Sequence, residues 1–492
     1  MKSLSAENIH RRVERAPMLK VLVPLIVGIA LADGCTLPLW GVAIGFVVCT
    51  VAAIALQRSA TADIYIVAAL ILVGACSMEL RRTLSTLPDT TTVMEITIDN
   101  ITSQRPRATM ADARIVAYAS EQGYRRSRAE VRVVAEPQLA IKAGDRLLAR
   151  TRVTPFEDDY YGRYMLSRGV KGQLYVNSHN IISHDSHSTL PQRLRERAVE
   201  RLRRLGLSAD SEALALAMSV AERSAITPTL RQAYTSGGAA HLLAVSGLHV
   251  GFICVMANIL LAWMLLLRHG QAIRSVVVVG IIWLFAAMAG FTPSIVRAAV
   301  MFSILQVATQ LATRTDTLNT LCFTAFIMLV WDARALHDAG FLLSFIAVAA
   351  IIEWGVPLFP QGKRGVVAWC WQWLASGVVT SIVAAVATLP LTAYLFGTVS
   401  MWSVVTGVMM IALAGIAVGG AMVWILLPIN ALQDVARWVI GGTTEAMNAI
   451  AAWCNDAGAL AAEVRIDGLT CVLIYALMVA VTIIVWAARR KI

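Results

Sequence analysis

The sequence predicts a polytopic α-helical membrane protein with one inserted extracytoplasmic all-β unit, and three observations carry that prediction. Of 492 residues, 58% are hydrophobic and 15% charged, with a mean hydropathy of +0.67, which excludes a soluble globular protein. Apolar runs of about 20 residues, the length a hydrocarbon core demands of a spanning helix, recur along the chain. Between two groups of them lies one long polar stretch of short alternating runs.

Residues 1–83 hold three apolar runs, at 18–32, 37–56 and 63–78. Arg11, Arg12, Arg15 and Lys20 sit at the start of the first, the link at Asp33 carries no base, and Arg58 lies in the next link. Positive charge favours the cytoplasmic side, so the N-terminus is expected there and the polar stretch outside. No small-residue cleavage site follows the first run, so a secretory leader is not expected.

Residues 84–187 alternate with period two at 93–101, 113–119, 130–135, 146–153 and 173–177, with turn residues at Gln122-Gly123 and Ala143-Gly144-Asp145. Five short strands in ~100 residues suit a small barrel, and the OB-fold is the natural candidate. Between Arg81 and Gly206 there are 22 basic and 14 acidic residues, so +8 of the net +11 lies in a quarter of the chain. Such a concentration points to an anionic partner, lipid head groups or a nucleic-acid backbone.

Within residues 188–236, positions 189–205 read as an amphipathic helix opened by a Thr189/Gln192 capping box. Leu190, Leu194, Ala198, Leu202 and Leu205 form its apolar stripe; Arg193, Arg197, Arg201 and Arg204 form a cationic one. That pairing predicts a helix lying in the membrane interface.

Residues 237–492 form the second apolar group, with runs at 248–267, 275–289, 295–312, 318–331, 341–354, 376–396, 402–427 and 469–488. If each crosses once, Arg268, Arg274, Arg314, Lys363 and Arg364 are cytoplasmic up to residue 397. The count then fails by one crossing for the tail of Arg489, Arg490 and Lys491. Either 402–427 is a re-entrant hairpin around Gly415–Gly420, or 441–464 supplies another crossing.

The densest chemistry is His241-Leu-Leu-Ala-Val-Ser246-Gly247-Leu-His249-Val-Gly251, on the edge of an apolar run where polar groups are expensive without a cavity or partner. Three readings stand side by side. Ser246 and His249, three apart, share a helical face and suit a nucleophile and its base, although no carboxylate is near to orient them. His241 and His249 suit metal ligands but stand two turns apart. Ser246-Gly247 suits a break where backbone and small polar groups line a wet path.

A second constellation, Gly290-Phe-Thr-Pro293-Ser294-Ile-Val-Arg297, breaks an apolar run and then inserts an arginine, which either meets an anion or snorkels to the interface. Gly340-Phe-Leu-Leu-Ser344-Phe345 places a serine in a third run. The eight cysteines all lie in or beside apolar runs and read as packing, with neither a disulfide framework nor a CxxC zinc pattern. His184-Asp185-Ser186-His187 and Glu157-Asp158-Asp159 read as solvated loops. No GxxxxGK[ST] occurs, so any driving energy is expected to come from elsewhere.

The segment HLLAVSGLHVG resembles the signature of the ComEC family of competence DNA-uptake channels. Gly290, Pro293-Ser294, Arg297-Ala298-Ala299 and Met301 are similar to that family's G-x-x-PS-x-x-RA-x-x-M segment. Gly340-Phe341 with Leu343-Ser344-Phe345 is similar to its PGFQLSF segment, with Ala339 and Leu342 in place of the Pro and Gln. Leu389-Pro390 and Gly397 fit a weaker later piece, and Ala221-Glu222-Arg223 stands where the family has Gly-Asp-Arg. Gly144-Asp145, Thr154-Pro155-Phe156 and 161–169 are similar to the family's extracytoplasmic OB-like module; in all, the resemblance covers about residues 20–400.

The resemblance implies an inner-membrane channel that passes single-stranded DNA into the cytoplasm during natural transformation. His241, Ser246, Gly247, His249, Pro293, Ser294, Arg297 and Ser344 are then expected to line or shape the channel, with no catalytic residue, metal or cofactor. Arg152, Phe156, Tyr160, Tyr161, Arg163, Tyr164, Arg168 and Lys171 interleave bases with aromatics and are expected to contact DNA. Many family members also carry a C-terminal metallo-β-lactamase-like domain. No HxHxDH pattern occurs before Ile492, so the strand-degrading role is expected to be absent or supplied by another protein. Other implied partners are membrane lipid, a DNA receptor and a cytoplasmic motor, with a homodimer left open. Two alternatives stay open: an intramembrane serine hydrolase using Ser246 and His249, and a channel whose OB-like unit is a nuclease holding a cation on Asp145, Glu157, Asp158 or Asp159.

Overall fold

The computed structural model describes residues 16–488 apart from 36–37, 60, 85–86, 89, 106–107, 121–122, 158–159, 168, 187–188, 244, 311–315, 360–364, 401, 428 and 457–460. Helices α1 (Pro17–Gly34), α2 (Leu39–Ala55) and α3 (Ala62–Leu84) take up the first three apolar runs. α1 and α3 cross closely because both are glycine at the crossing: a Cβ on Gly28 would overlap the Ile71 carbonyl, and one on Gly74 the Leu25 carbonyl. α2 buries little beyond Val42 and turns Trp40, Ile44, Val48 and Ile54 outward, as a lipid-facing helix does.

The β unit follows as β1 (Thr92–Arg105), β2 (Ala108–Ser120), β3 (Gly123–Arg126), β4 (Glu130–Ala135), β5 (Arg146–Thr151), α4 (Tyr160–Ser167), β6 (Val170–Val176) and β7 (Ile181–Asp185). The sheet order is β6-β4-β2-β1-β5-β7, with β3 paired to β2 alone. Every pairing is antiparallel except β4 with β6. A Thr154–Gln173 bridge and the Thr151 hydroxyl on the Tyr175 carbonyl join the end of β5 to β6, so the sheet curls back on itself. Period-two side chains fill the interior: Met94, Ile96 and Ile98, Val131 and Val133, Leu147 and Ala149, Leu174 and Val176. The five expected strands sit where the alternation placed them. β3, β7 and α4 are additions, being too short or too polar to show a period.

Helix α5 (Leu190–Arg203) opens with the expected capping box, the Thr189 N–H donating to Gln192 Oε1 at 2.7 Å. The C-terminal half of its apolar stripe is covered by protein, while Leu190 at its start is exposed. Ala198, Leu202 and Leu205 are buried against α6 (Ala209–Val220) and against Ala421, Trp424 and Ile440 further along the chain. The Trp424 indole donates to the Arg201 carbonyl at 2.9 Å, and Arg201 donates to the Ile425 carbonyl. A protein surface of matching shape out-competes lipid for that half of the stripe because it also satisfies these polar groups.

Then come α7 (Pro228–Ser236), a 3-10 turn (Ala240–Leu243), α8 (Gly247–Leu260), α9 (Gly270–Met288), α10 (Pro293–Gln310), α11 (Thr317–Trp331), α12 (Ala339–Ala350), α13 (Val366–Phe396), β8 (Thr398–Ser400), α14 (Ser403–Leu426), α15 (Gln433–Asp456), β9 (Ala461–Glu463) and α16 (Gly468–Ala488). Among the described residues, six helices are long and apolar enough to span a bilayer, and five shorter apolar ones, including α2, α8 and α11, accompany them.

α14 runs unbroken through Gly415, Gly419 and Gly420, so the re-entrant hairpin is not formed. α15 instead comes back beside α14, and β8 pairs antiparallel with β9 at the far end. The Val464 N–H donates to the Gly397 carbonyl at 3.1 Å, so α16 starts where α13 ends. From there α16 runs back along α13, Tyr475 reaching the Ala387 carbonyl at 3.0 Å and Thr482 accepting from the Trp354 indole at 3.0 Å. The α14–α15 hairpin is thus inserted between two antiparallel helices, α13 and α16, and α15 is not among the helices counted as apolar enough to span a bilayer.

Candidate functional site: a buried, unpartnered cluster

Three segments far apart in sequence meet at the start of α8. Ser246 is the N-cap of α8 and His249 is its third residue. The Ser246 N–H donates to His249 Nδ1 at 2.8 Å, while the Ser246 hydroxyl stands 3.5 Å from the same nitrogen. That bond sets the tautomer: a neutral imidazole accepting at Nδ1 carries its proton on Nε2. Nε2 is buried and has no partner among the described residues, and His249 as a whole is 0% exposed.

The second segment enters through the sharp link between α9 and α10, where Gly290 (φ +77°) and Phe291 (φ +51°) both adopt the left-handed conformation. This reversal lays the first turns of α10 beside α8. Gly247 sits in close contact with α10, where a Cβ would lie 3.4 Å from both Arg297 Nη2 and the Ala298 Cβ. Arg297 is 6% exposed, and its Nη1 has no hydrogen-bond partner among the described residues. The guanidinium reaches one hydroxyl there, that of Ser294, at 3.5 Å from Nη2.

The third segment supplies an aromatic face. The Arg297 guanidinium carbon lies 5.6 Å from the centroid of the Phe345 ring, which itself packs on Phe341 at 4.3 Å. The site therefore presents two desolvated donors, Nε2–H of His249 and Nη1 of Arg297, with no carboxylate among the described residues paired to either. Leaving such donors unpaired costs about 1–3 kcal/mol each, more when charged, unless an acceptor arrives. An anionic oxygen is the ligand that this donor set fits.

Of the residues expected from sequence to line or shape a channel, Ser246, Gly247, His249, Ser294 and Arg297 meet in this cluster. His241 lies on the preceding 3-10 turn with its side chain exposed, and Ser344 is half-buried one residue before the ring that makes the contact. Pro293 opens α10, and its side chain lies outside the described residues. Phe345 was missed; its signal was the aromatic repeat Phe341/Phe345, four apart and hence on one helical face. The ring nitrogen that faces the Ser246 hydroxyl is Nδ1, and its lone pair is already taken by the Ser246 backbone N–H, so His249 is not placed to accept the proton of that hydroxyl. No group of three metal-ligating side chains occurs among the described residues.

The second candidate region is the segment between β5 and β6. Phe156 and Tyr161 stack edge to face at 6.0 Å, with Tyr161, Arg152 and Lys171 exposed. Partial desolvation of the side chain, and then the nearby Arg334 and Arg82, push the Lys171 ammonium below the ordinary lysine value. Arg334, which follows α11, donates to the Gly169 carbonyl at 3.1 Å and so docks this segment on the membrane unit. Arg168, Asp158 and Asp159 lie outside the described residues, as do the side chains of Tyr160, Arg163 and Tyr164.

Asp145 is not open to a cation. Its Oδ2 accepts from the Lys142 N–H at 2.7 Å and meets His184 Nε2 at 2.8 Å, and its Oδ1 accepts from Ser186 at 2.8 Å. The loop reading of residues 184–186 is corrected accordingly: His184 and Ser186 are tied to the barrel because Asp145, 2% exposed, needs them.

The fold and the site together define a multi-pass helical membrane protein whose membrane unit holds a desolvated cationic cluster. The family model described as "Competence protein" matches residues 218–490, which contain that cluster. The chain belongs to this family, in its ComEC branch. It is 28% identical to ComE operon protein 3 of Bacillus subtilis over 42% of this chain and 25% of that protein. It is 30% identical to Competence protein ComA of Neisseria gonorrhoeae over 48% of this chain and 36% of that protein. The matched part is thus about a quarter to a third of the length of these relatives. No solved structure matches.

Proposed function

We propose that the protein is an inner-membrane channel that passes single-stranded DNA into the cytoplasm, with the His249/Arg297 cluster as the point where backbone phosphates are handed through the membrane unit. The observation that carries this reading is the pair of buried donors without acceptors, held between α8, α10 and α12. A polyanion in transit offers the missing acceptors one after another, and each contact is transient because the next phosphate replaces it.

In this reading the N-terminus is cytoplasmic and the β unit is outside. The antiparallel run of α16 along α13 supports it, since the last described turn of α16 then lies at the same end as the first turn of α13, and both ends are flanked by bases in the sequence. The β unit acts as an OB-type module. Support for that comes from five strands, β1-β2-β4-β6-β5, closing with a single parallel pair, and from the aromatic and basic residues on the β5–β6 segment, which is where such modules take oligonucleotides. Other competence proteins would deliver the strand and pull it in.

The test is cytoplasmic uptake of labelled DNA in a strain deleted for the protein and complemented by wild type, His249→Ala or Arg297→Ala. Wild type should restore uptake, and both variants should insert normally yet fail. Normal uptake in the deletion strain would falsify the reading.

A further inference from the structure

We infer that the β3 hairpin, through Tyr124, Arg125, Arg126 and Arg128, is a docking arm for single-stranded nucleic acid on the side of the β unit that adjoins the membrane unit. The inference rests on the channel reading and adds to it a contact separate from the β5–β6 segment.

β3 is paired on one edge only, with Ala119 opposite Tyr124, Tyr118 opposite Arg125 and Ala117 opposite Arg126. None of these three opposing residues is an acid. All four named side chains of the arm are exposed, Tyr124 by 71%. The arginines of the barrel wall behave differently: Arg114 holds Asp99 with contacts of 2.8 and 2.6 Å, and Arg132 holds Asp112 at 2.9 Å. Arg126 and Arg128 make no ion pair or side-chain hydrogen bond among the described residues. Arg126 and Arg128, two exposed cations two positions apart, match successive phosphates of a polyanion better than a single carboxylate.

Position strengthens the case. The Arg114–Glu130–Val170 row lies at the seam with the membrane unit, because Glu130 feels Arg334, Asp332 and Arg81 there. β3 and the end of β2 continue past that row. The Thr92 hydroxyl, eight residues after α3, ties Ala119 at 2.7 Å and keeps the arm on the same side. A strand bound for Arg297 has to pass this seam. Tyr124 offers a base-stacking face beside phosphate-binding guanidiniums, the pairing that sequence-independent single-strand binders use. Lipid head groups would use the cations but leave the ring without a stacking partner.

The experiment uses the full chain in zwitterionic nanodiscs and a labelled oligothymidylate titrated over a salt series. Arg125→Ala/Arg126→Ala/Arg128→Ala should weaken binding by about tenfold and cut the slope of log K against log salt by about 2, at ~0.7 for each phosphate no longer neutralised. Tyr124→Ala should weaken binding at least about fivefold, and Tyr124→Phe should restore it, because stacking needs the ring and not the hydroxyl. A photo-crosslinking phenylalanine at position 124 should label the oligonucleotide. Wild-type binding with an unchanged triple variant, or crosslinks to phospholipid alone, overturns the arm and leaves the channel reading standing. No binding by wild type overturns both.

Discussion

Asp145 in the β unit and the His249/Arg297 pair in the membrane unit are both buried polar sites, and they differ in one respect. Around Asp145 each carboxylate oxygen has its donors, from Lys142, His184 and Ser186. At His249 and Arg297 the donors have no acceptor among the described residues. A saturated cluster holds the chain together and asks nothing of a ligand. An unsaturated one at equal depth carries a standing cost that only an incoming group removes. The two sites could not be ranked this way from residue type, since a Gly-Asp turn and a Ser-Gly-Leu-His segment both look chemically active.

The difference breaks most sharply at Arg297. Arg297→Ala should lower DNA uptake about 100-fold or more, the equivalent of losing one charge-assisted contact of ~3 kcal/mol, while leaving thermal stability in detergent unchanged or raised. Uptake near wild type would mean that the unpartnered donor is only buried packing. Asp145→Ala should do the reverse. Stranding three donors should cost about 2–3 kcal/mol, read as a lower urea midpoint for loss of β-sheet signal, and any uptake defect should recover at lower growth temperature. A defect that persists in the folded variant would move Asp145 into the functional class.

Smaller changes sharpen the comparison. Phe345→Leu removes a face worth about 1 kcal/mol to the guanidinium and should lower uptake about fivefold, with rescue by Phe345→Tyr. Failure of Tyr to rescue would assign Phe345 to packing alone. The smallest effect concerns Glu130, whose carboxyl is raised above the ordinary glutamate value by desolvation against the opposing pull of Arg334. A raised folded-state value means the native chain holds that proton more tightly, so this group's contribution falls as pH climbs above 4.5. Glu130→Gln should therefore raise Tm by about 1–2 °C at pH 7 and leave it unchanged at about pH 4.

Much of this was legible in the sequence, for physical reasons that can be named. The apolar runs located the helices because a bilayer admits few other ways to satisfy a backbone. Period-two alternation located β1, β2, β4, β5 and β6, and a threonine three residues before a glutamine located the start of α5. The polar interruptions at Ser246 and Arg297 stood out because their surroundings are greasy.

What residues far apart do to each other was not legible. The stripe of α5 gave no sign whether lipid or Trp424 would cover it, because a hydrophobic face is blind to its partner. The pairing of β8 with β9, which decides how often the chain returns, involves two three-residue strands below the threshold of any periodicity. Phe345 became part of the site only because the packing of α10 against α8 and α12 puts the Arg297 guanidinium 5.6 Å from that ring. Composition and period report on the solvent each segment meets, which is enough to tell helix from strand and buried from exposed. Whether a buried polar atom finds a partner is a matter of where its neighbours end up in space, and no pattern local to Ser246–His249 or to Arg297 encodes that.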